Sequence, residues 1–140
     1  MRRRLRTGRL PGAFAPIFLE RNRSLYERTQ QAVNSVIQPI LAKIVAEGVA
    51  DRTFDTADPE AAAEIMLHLM GSVRPMVAAL YAATNQVDIQ RELNRLVDRM
   101  RYLSTVVDRI LGIPEGSIEL VDESSVCIMR DTWKQSPNAA

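Results

Sequence analysis

The sequence has very little of the chemistry that most enzyme and metal sites need. It contains one cysteine, Cys127, and one histidine, His68, among 140 residues. A metal site of the zinc type needs a cluster of such ligands, and a single thiol permits no disulfide within the chain. We therefore expect no metal, no cofactor and a reducing compartment, the cytoplasm.

Recognisable catalytic motifs are also lacking. The sequence has no glycine-rich phosphate loop. Ser72 is a small residue in the middle of a predicted helix and Cys127 lies in the predicted tail, so neither is in a context that activates a nucleophile. Acids on the predicted helices are spaced to pair with arginines three or four positions away, as Glu92 is with Arg95, which is typical of a solvated helix face. These absences predict that the protein is not an enzyme.

Excess charge and long apolar runs are absent as well. The net charge is only +1, which gives no general argument for nucleic acid or a membrane surface. No unbroken apolar run approaches the roughly 20 residues that cross a bilayer, so we expect neither a secretory signal nor a membrane anchor. The basic residues are nevertheless concentrated at the start, in an irregular arm over residues 1–12 that contains Arg2, Arg3, Arg4, Arg6 and Arg9.

Apolar residues at helical spacing predict a first long helix over residues 13–47, ended by Gly48. Pro39 lies inside this pattern and predicts a kink. A second long helix is predicted over residues 59–84, because Asp58 can cap its first turn and Pro59 suits the first helical position. Pro75 should kink this second helix and free the carbonyl of Gly71.

The third predicted helix, over residues 88–112, has the most regular apolar pattern. Asp88 is its predicted cap, and Gly112, followed by Pro114, its predicted end. The short link over residues 85–87 makes this helix an antiparallel neighbour of the second. Its apolar residues alternate at spacings of four and three, and we call this set the seam: Ile89, Leu93, Leu96, Met100, Leu103, Val107 and Ile110.

Together these patterns predict an all-α protein, an antiparallel helical bundle. The helical domain would span residues 13–114. Residues 115–140 would form a partly ordered tail, with enough apolar residues for a short strand or helix to dock on the bundle.

Several polar and sulfur-containing residues on these helices are candidates for a small-molecule site. Apolar cavities with a few fixed polar groups are typical of such sites, and methionine adapts to varied ligand shapes. Each residue also has a simpler explanation, as a core residue or as a polar group satisfied by a neighbour. The candidates are Asn34, Gln38, Met66, His68, Met70, Arg74, Tyr81 and Tyr102.

The order of several short motifs resembles the C-terminal regulatory domain of TetR-family transcriptional regulators. The resemblance covers roughly residues 18–120. The motifs are Pro39-Ile40-Leu41, Glu47-Gly48-Val49, Phe54-Asp55 leading to Asp58-Pro59-Glu60-Ala61, and Leu111-Gly112-Ile113-Pro114-Glu115-Gly116-Ser117.

The resemblance implies a homodimer built as a four-helix bundle across a twofold axis, with a small apolar effector held between the preceding helices. The helices over residues 59–84 and 88–112 would be the dimerising pair. The implied interface consists of Ser72, Pro75, Ala79, Ala83, Leu96, Met100, Leu103, Val107 and Ile110.

The sequence departs from this family at its start. Such regulators begin with a helix-turn-helix, and the residues before Phe18 are too few to form one, so we expect no sequence-specific DNA binding by this chain. The arginine-rich arm is open to several interpretations: the remnant of an upstream helix, the result of a misplaced start or truncated gene, or a phosphate-binding tail.

Two functional hypotheses follow. In the first, the chain is a TetR-like regulatory domain that senses an effector and forms a homodimer. In the second, it is a stand-alone helical scaffold or protein-interaction domain without a ligand, whose seam packs only within its own chain. Burial alone cannot separate them from sequence, because obligate dimer interfaces resemble a domain core cut in half.

Overall fold

The structure is a computed structural model, and it describes residues 23–135. This part of the chain is all helical and contains no strand, as predicted. Five α-helices are joined by short links and by one 3-10 turn. They are α1 (Arg23–Ala50), α2 (Pro59–Met70), the 3-10 turn Gly71–Val73, α3 (Arg74–Ala82), α4 (Gln86–Ile110) and α5 (Glu123–Lys134).

Helix α1 runs through Pro39 without interruption and ends at Ala50, beyond the predicted end at Gly48. Gly48 is needed for close packing instead, because a Cβ atom there would overlap the ring of Phe54. The left-handed residue after the helix is Arg52, with φ of 64°. The predicted start of this helix at residue 13 lies outside the described residues.

The predicted single helix over residues 59–84 is two α-helices joined by a 3-10 turn. Asp58 caps α2 as expected, accepting a hydrogen bond of 3.0 Å from the amide of Ala61. The break falls where Pro75, which has no amide proton, cannot bond to the carbonyl of Gly71. The amide of Arg74 donates to that carbonyl instead, which tightens the chain into the 3-10 turn.

Helix α4 begins two residues earlier than predicted. Its cap is Asn85, whose side-chain oxygen accepts a 2.9 Å hydrogen bond from the amide of Asp88. Asp88, the predicted cap, lies in the first turn. Its negative charge there interacts favourably with the positive end of the helix dipole. At the other end Gly112 has the predicted left-handed conformation, with φ of 64°.

The helices pack as antiparallel neighbours. The start of α1 lies beside the start of α3, because the guanidinium of Arg74 is 4.6 Å from the ring centre of Tyr26. Farther along α1, Pro39 lies near Glu60 at the start of α2. Helix α4 returns along α3, so that Arg99 donates a hydrogen bond of 3.2 Å to the hydroxyl of Ser72.

The core consists of three apolar clusters around α4. One joins α3, α4 and α5 through Leu80, Leu93 and Trp133, among others. The second joins α1, α2 and the end of α4, and the third joins α4 to the start of α5. The segment predicted as a partly ordered tail therefore supplies Val126 and Trp133 to the core.

Asp108 fixes the connection between α4 and the loop that leads to α5. Its carboxylate is 1% exposed. It accepts hydrogen bonds from the amides of Gly116, at 2.9 Å, and Ile118, at 3.0 Å. Because a buried carboxylate is costly unless hydrogen-bonded, these two bonds hold the loop against the helix.

Candidate functional site

A cavity with mixed polar and apolar walls lies between the first half of α1 and the start of α3. We call it the α1–α3 groove, and its volume is about 260 Å³. It forms because α1 extends beyond the C-terminal end of α2, so that the first turns of α1 face the 3-10 turn and α3. Its lining residues are Tyr26, Gln30, Val33, Asn34, Ile37, Leu67, Met70, Gly71, Val73, Arg74 and Val77.

Arg74 is the most unusual residue of the groove. Its Nε and Nη2 atoms are buried and have no hydrogen-bond partner among the described residues. The ring of Tyr26 covers the guanidinium at 4.6 Å, a distance at which a cation and an aromatic ring attract each other. The contact with an aromatic ring supplies no hydrogen-bond acceptor in the plane of the guanidinium, so Nε and Nη2 stay without one in the described part of the chain.

The neutral polar groups of the groove lie on α1, opposite Arg74. Gln30 donates a hydrogen bond of 3.0 Å to the side-chain oxygen of Asn34. This bond uses the Asn34 carbonyl and leaves its NH₂ group to donate elsewhere. A ligand in the groove would therefore meet a cation on one wall and an amide on the other.

A second cavity, of about 280 Å³, lies next to the groove and has an entirely apolar lining. It is enclosed by α1, α2, the end of α4 and the loop that follows. Met66 and Met70 are two of its lining residues, and Met70 also lines the α1–α3 groove. The two cavities are therefore separated in part by one flexible side chain.

Three predicted ligand-binding residues come together in the α1–α3 groove, namely Asn34, Met70 and Arg74. Met66 lines only the apolar cavity. Gln38 lies in a separate surface depression with Glu60.

The remaining three candidates lie elsewhere. His68 is exposed, and its Nδ1 atom lies 2.8 Å from the carbonyl oxygen of Glu64. Tyr81 packs edge-on against Trp133, with 5.1 Å between ring centres, and burial raises the pKa of its hydroxyl. Tyr102 is 64% exposed. None of these three lines the groove.

Sequence reasoning missed Tyr26 and Gln30 as groove residues. They precede Val33 and Ile37 on one face of α1 at helical spacing, so periodicity could have grouped them. Periodicity could not have shown that α2 would end before reaching them. The groove depends on the relative lengths of two helices.

Most of the predicted interface residues on the seam are already buried within the chain. Leu96, Leu103 and Val107 are each at most 7% exposed in the single chain, and so is Ala83, which follows α3. Met100 and Ile110 are half-buried against the same core. On the α2 to α3 segment, Ser72 and Ala79 are half-buried and Pro75 is exposed.

A continuous row of apolar side chains is exposed on α1. We call it the α1 stripe: Leu25, Val33, Val36, Ile37, Ile40 and Ile44 are each at least 40% exposed, and Ile65 of α2 lies exposed as well. Monomeric soluble proteins rarely expose large contiguous apolar patches. The row is therefore a candidate surface for contact with another molecule.

The described residues contain no group of three His, Cys, Asp or Glu side chains that could hold a metal ion. Two segments, Arg23–Ala50 and Pro59–Ala82, are long and apolar enough to cross a membrane by length and composition alone. Core helices of soluble proteins pass the same test, but such helices are mostly buried, whereas only 11% of each apolar window is buried here. The expectation of no membrane partner therefore stays a prediction.

Comparison with known proteins assigns the chain to no family. No protein-family model, curated protein or solved structure matches it. The class defined by the structure is an all-helical protein with a mixed polar and apolar groove between two helices.

Proposed function

We propose that this protein is the effector-sensing and dimerising part of a transcriptional regulator of the TetR type, acting in the cytoplasm. The observation that carries the proposal is the α1–α3 groove, a cavity whose apolar walls lie beside Arg74, a side chain with two shielded nitrogens that have no hydrogen-bond partner among the described residues. Small-molecule sites have this composition, and they occur preferentially between packed helices. The order of sequence motifs independently supports the same class of protein.

Pairing with a second copy is the other half of the proposal. The α1 stripe is an apolar surface that stays exposed within the described part of the chain, whereas Leu96, Leu103 and Val107 of the seam are buried in its core. Burying exposed apolar area stabilises association by about 25 cal/mol per Å² before the costs of association are subtracted. We therefore propose a homodimer in which the stripe, rather than the seam, contributes most of the apolar contact.

One specific observation favours the alternative of a stand-alone helical scaffold. The seam is completed within one chain, so the bundle needs no partner to bury it. In that case the stripe would bind a different protein, and the groove would stay empty. The two proposals therefore differ in the number of chains in the assembly.

Static light scattering of the purified chain over a concentration series tests the proposed function. A mass twice that of the 15.7 kDa chain, stable on dilution to micromolar concentration, is the expected result. A mass of one chain at every concentration would contradict the regulator proposal and support the scaffold.

A further inference from the structure

The unpaired donors of Arg74 identify what the α1–α3 groove would bind. A buried donor without a partner carries the full cost of its lost hydration, and the cost is larger for a charged group. Two such donors on one side chain are rare in a folded protein and need an explanation. An acceptor supplied by a ligand is the explanation that fits their place beside a cavity.

The two unpaired atoms lie on the same edge of the guanidinium. Nε and Nη2 point in parallel, which is the fork that binds the two oxygens of a carboxylate or phosphate at once. The ring of Tyr26 lies 4.6 Å from the centre of the guanidinium, and both nitrogens of this edge are shielded from solvent. The geometry therefore favours an acceptor with two oxygens in one plane.

The charge of the groove favours a ligand with a single negative charge. Among the described residues that line the groove, Arg74 is the one that is charged, and none is acidic. One arginine fully neutralises a carboxylate. It does not neutralise a phosphate monoester, which carries nearly two negative charges. Most other lining residues are apolar, so the rest of the ligand should be apolar.

We propose that the α1–α3 groove binds a small amphiphile whose carboxylate is held by the Nε and Nη2 atoms of Arg74. This inference rests on the proposed function, since it names the chemical class of its effector. Small-molecule cavities hold roughly 300–1,000 Å³, so a cavity near 260 Å³ fits a short ligand. Both nitrogens are covered, so the carboxylate reaches them as the Tyr26 ring moves aside.

The test compares ligands of one chain length by calorimetric titration of the full chain. Decanoate is the proposed class, decanol lacks the charge, and decyl phosphate has a second one. We expect decanoate to bind about tenfold to a hundredfold more tightly than decanol, as for a hydrogen-bonded charge pair, and also more tightly than decyl phosphate. The Arg74→Met variant should lose this preference and keep the affinity for decanol.

Arg101→Met is the matched control. Arg101 is an exposed arginine that pairs with Glu123 away from the groove, so its removal should leave all three affinities unchanged. Equal binding of decanoate and decanol to the wild type would overturn the carboxylate assignment but leave an apolar effector groove. Tighter binding of decyl phosphate would overturn it in favour of a phosphate ligand. No binding of any of the three would contradict both this inference and the effector-sensing role.

A second measurement needs no ligand. If Nε and Nη2 are unpaired in the free protein, Arg74→Met removes two shielded donors whose desolvation cost exceeds the weak attraction to the Tyr26 ring, and it should raise the melting temperature of the unliganded chain. The Arg101→Met variant should melt within about a degree of the wild type, because an exposed ion pair contributes little. A lower melting temperature for Arg74→Met would mean that the donors are paired within the protein, and the inference would fail.

Discussion

At the scale of single residues, Asp108 joins α4 to the loop that precedes α5. Replacing it with alanine leaves the amides of Gly116 and Ile118 without an acceptor. Gly116 is exposed and Ile118 is partly buried, so we expect Asp108→Ala to lower the free energy of unfolding by about 1–3 kcal/mol, the cost of one unsatisfied buried group. Urea unfolding followed by circular dichroism measures this, with the exposed residue Asp98 as a control. Asp98→Ala should change stability by less than about 0.5 kcal/mol, and equal effects of the two variants would refute the assignment.

Two glycines offer a matched test of backbone conformation. Gly112 has φ of 64°, and a Cβ atom there would lie 2.5 Å from the carbonyl oxygen of Asp55. Gly71 has helical angles, and a Cβ atom there would meet no other atom within 4 Å. We expect Gly112→Ala to destabilise by more than about 1 kcal/mol and Gly71→Ala to stabilise by about 0.5 kcal/mol.

Thermal melts of both glycine variants against the wild type check this pair. The expected signs are opposite, with a lower melting temperature for Gly112→Ala. A Gly112→Ala variant as stable as the wild type would mean that the turn after α4 does not need a left-handed residue.

The sequence could identify some single-residue roles and not others. The caps at Asp58 and the left-handed Gly112 follow from local chemistry that adjacent residues define. Asp108 could not be found in this way, because in sequence it looks like any acid on a solvated helix face. Its partners are backbone amides, which every residue but proline has, so no residue type marks them.

At the scale of elements, α5 is held by Trp133. This side chain is 7% exposed and packs edge-on against Tyr81 of α3. Trp133→Ala should cost about 3–5 kcal/mol, the usual range for removing a large aromatic residue from a core. Ile128, on the same helix but 66% exposed, is the control, and Ile128→Ala should cost under about 1 kcal/mol. Denaturant unfolding of the two variants would contradict a docked α5 if both lost little stability.

The start of α5 should respond to acid. Hydrogen bonds from Ser125 lower the pKa of the Asp122 carboxyl below its ordinary value of 3.8. A carboxyl whose pKa is lowered by folding stabilises the protein above its unfolded pKa, and this contribution disappears as the pH falls through the folded pKa. The melting-temperature difference between wild type and Asp122→Asn, which keeps the capping oxygen without the charge, should therefore shrink between about pH 5 and pH 2. A difference that is constant over this range would contradict a folded-state shift of this pKa.

Periodicity predicted the helical segments before residue 114 and the burial of most of the seam. It left open whether the tail holds a strand or a helix, and it did not show that most apolar residues of α1 would be exposed. Periodicity could not predict what covers the seam. The seam has the same sequence pattern whether α3 and α5 or a second chain packs on it. The buried position of Leu103 shows the consequence: Leu103→Arg would unfold the single chain and could not report on dimerisation. The division between α2 and α3 falls where the sequence predicted a kink. Pro75 could be read from sequence in this way because proline acts locally, on the preceding turn of its own helix.

At the scale of the whole molecule, α1 connects the two proposed activities. One face of it lines the groove with Tyr26 and Asn34, and the neighbouring face exposes Val36 and Ile40. A ligand that moves the first turns of α1 would also move part of the stripe. Effector binding and pairing would then be linked through one rigid helix, with the same coupling free energy in both directions.

The stripe itself can be tested with one matched pair of substitutions. Val36 and Val87 are both highly exposed valines, at 63% and 76%, but only Val36 belongs to the α1 stripe. We expect Val36→Glu to shift the light-scattering mass from dimer to monomer, because two buried and unpaired carboxylates would face each other across a twofold interface. Val87→Glu should remain dimeric, and neither variant should lose more than about 0.5 kcal/mol of stability within the chain, since both sites are exposed. If Val36→Glu dimerises as well as the wild type, a surface other than α1 joins the two chains, and the exposed residues around Pro75 become the next to test.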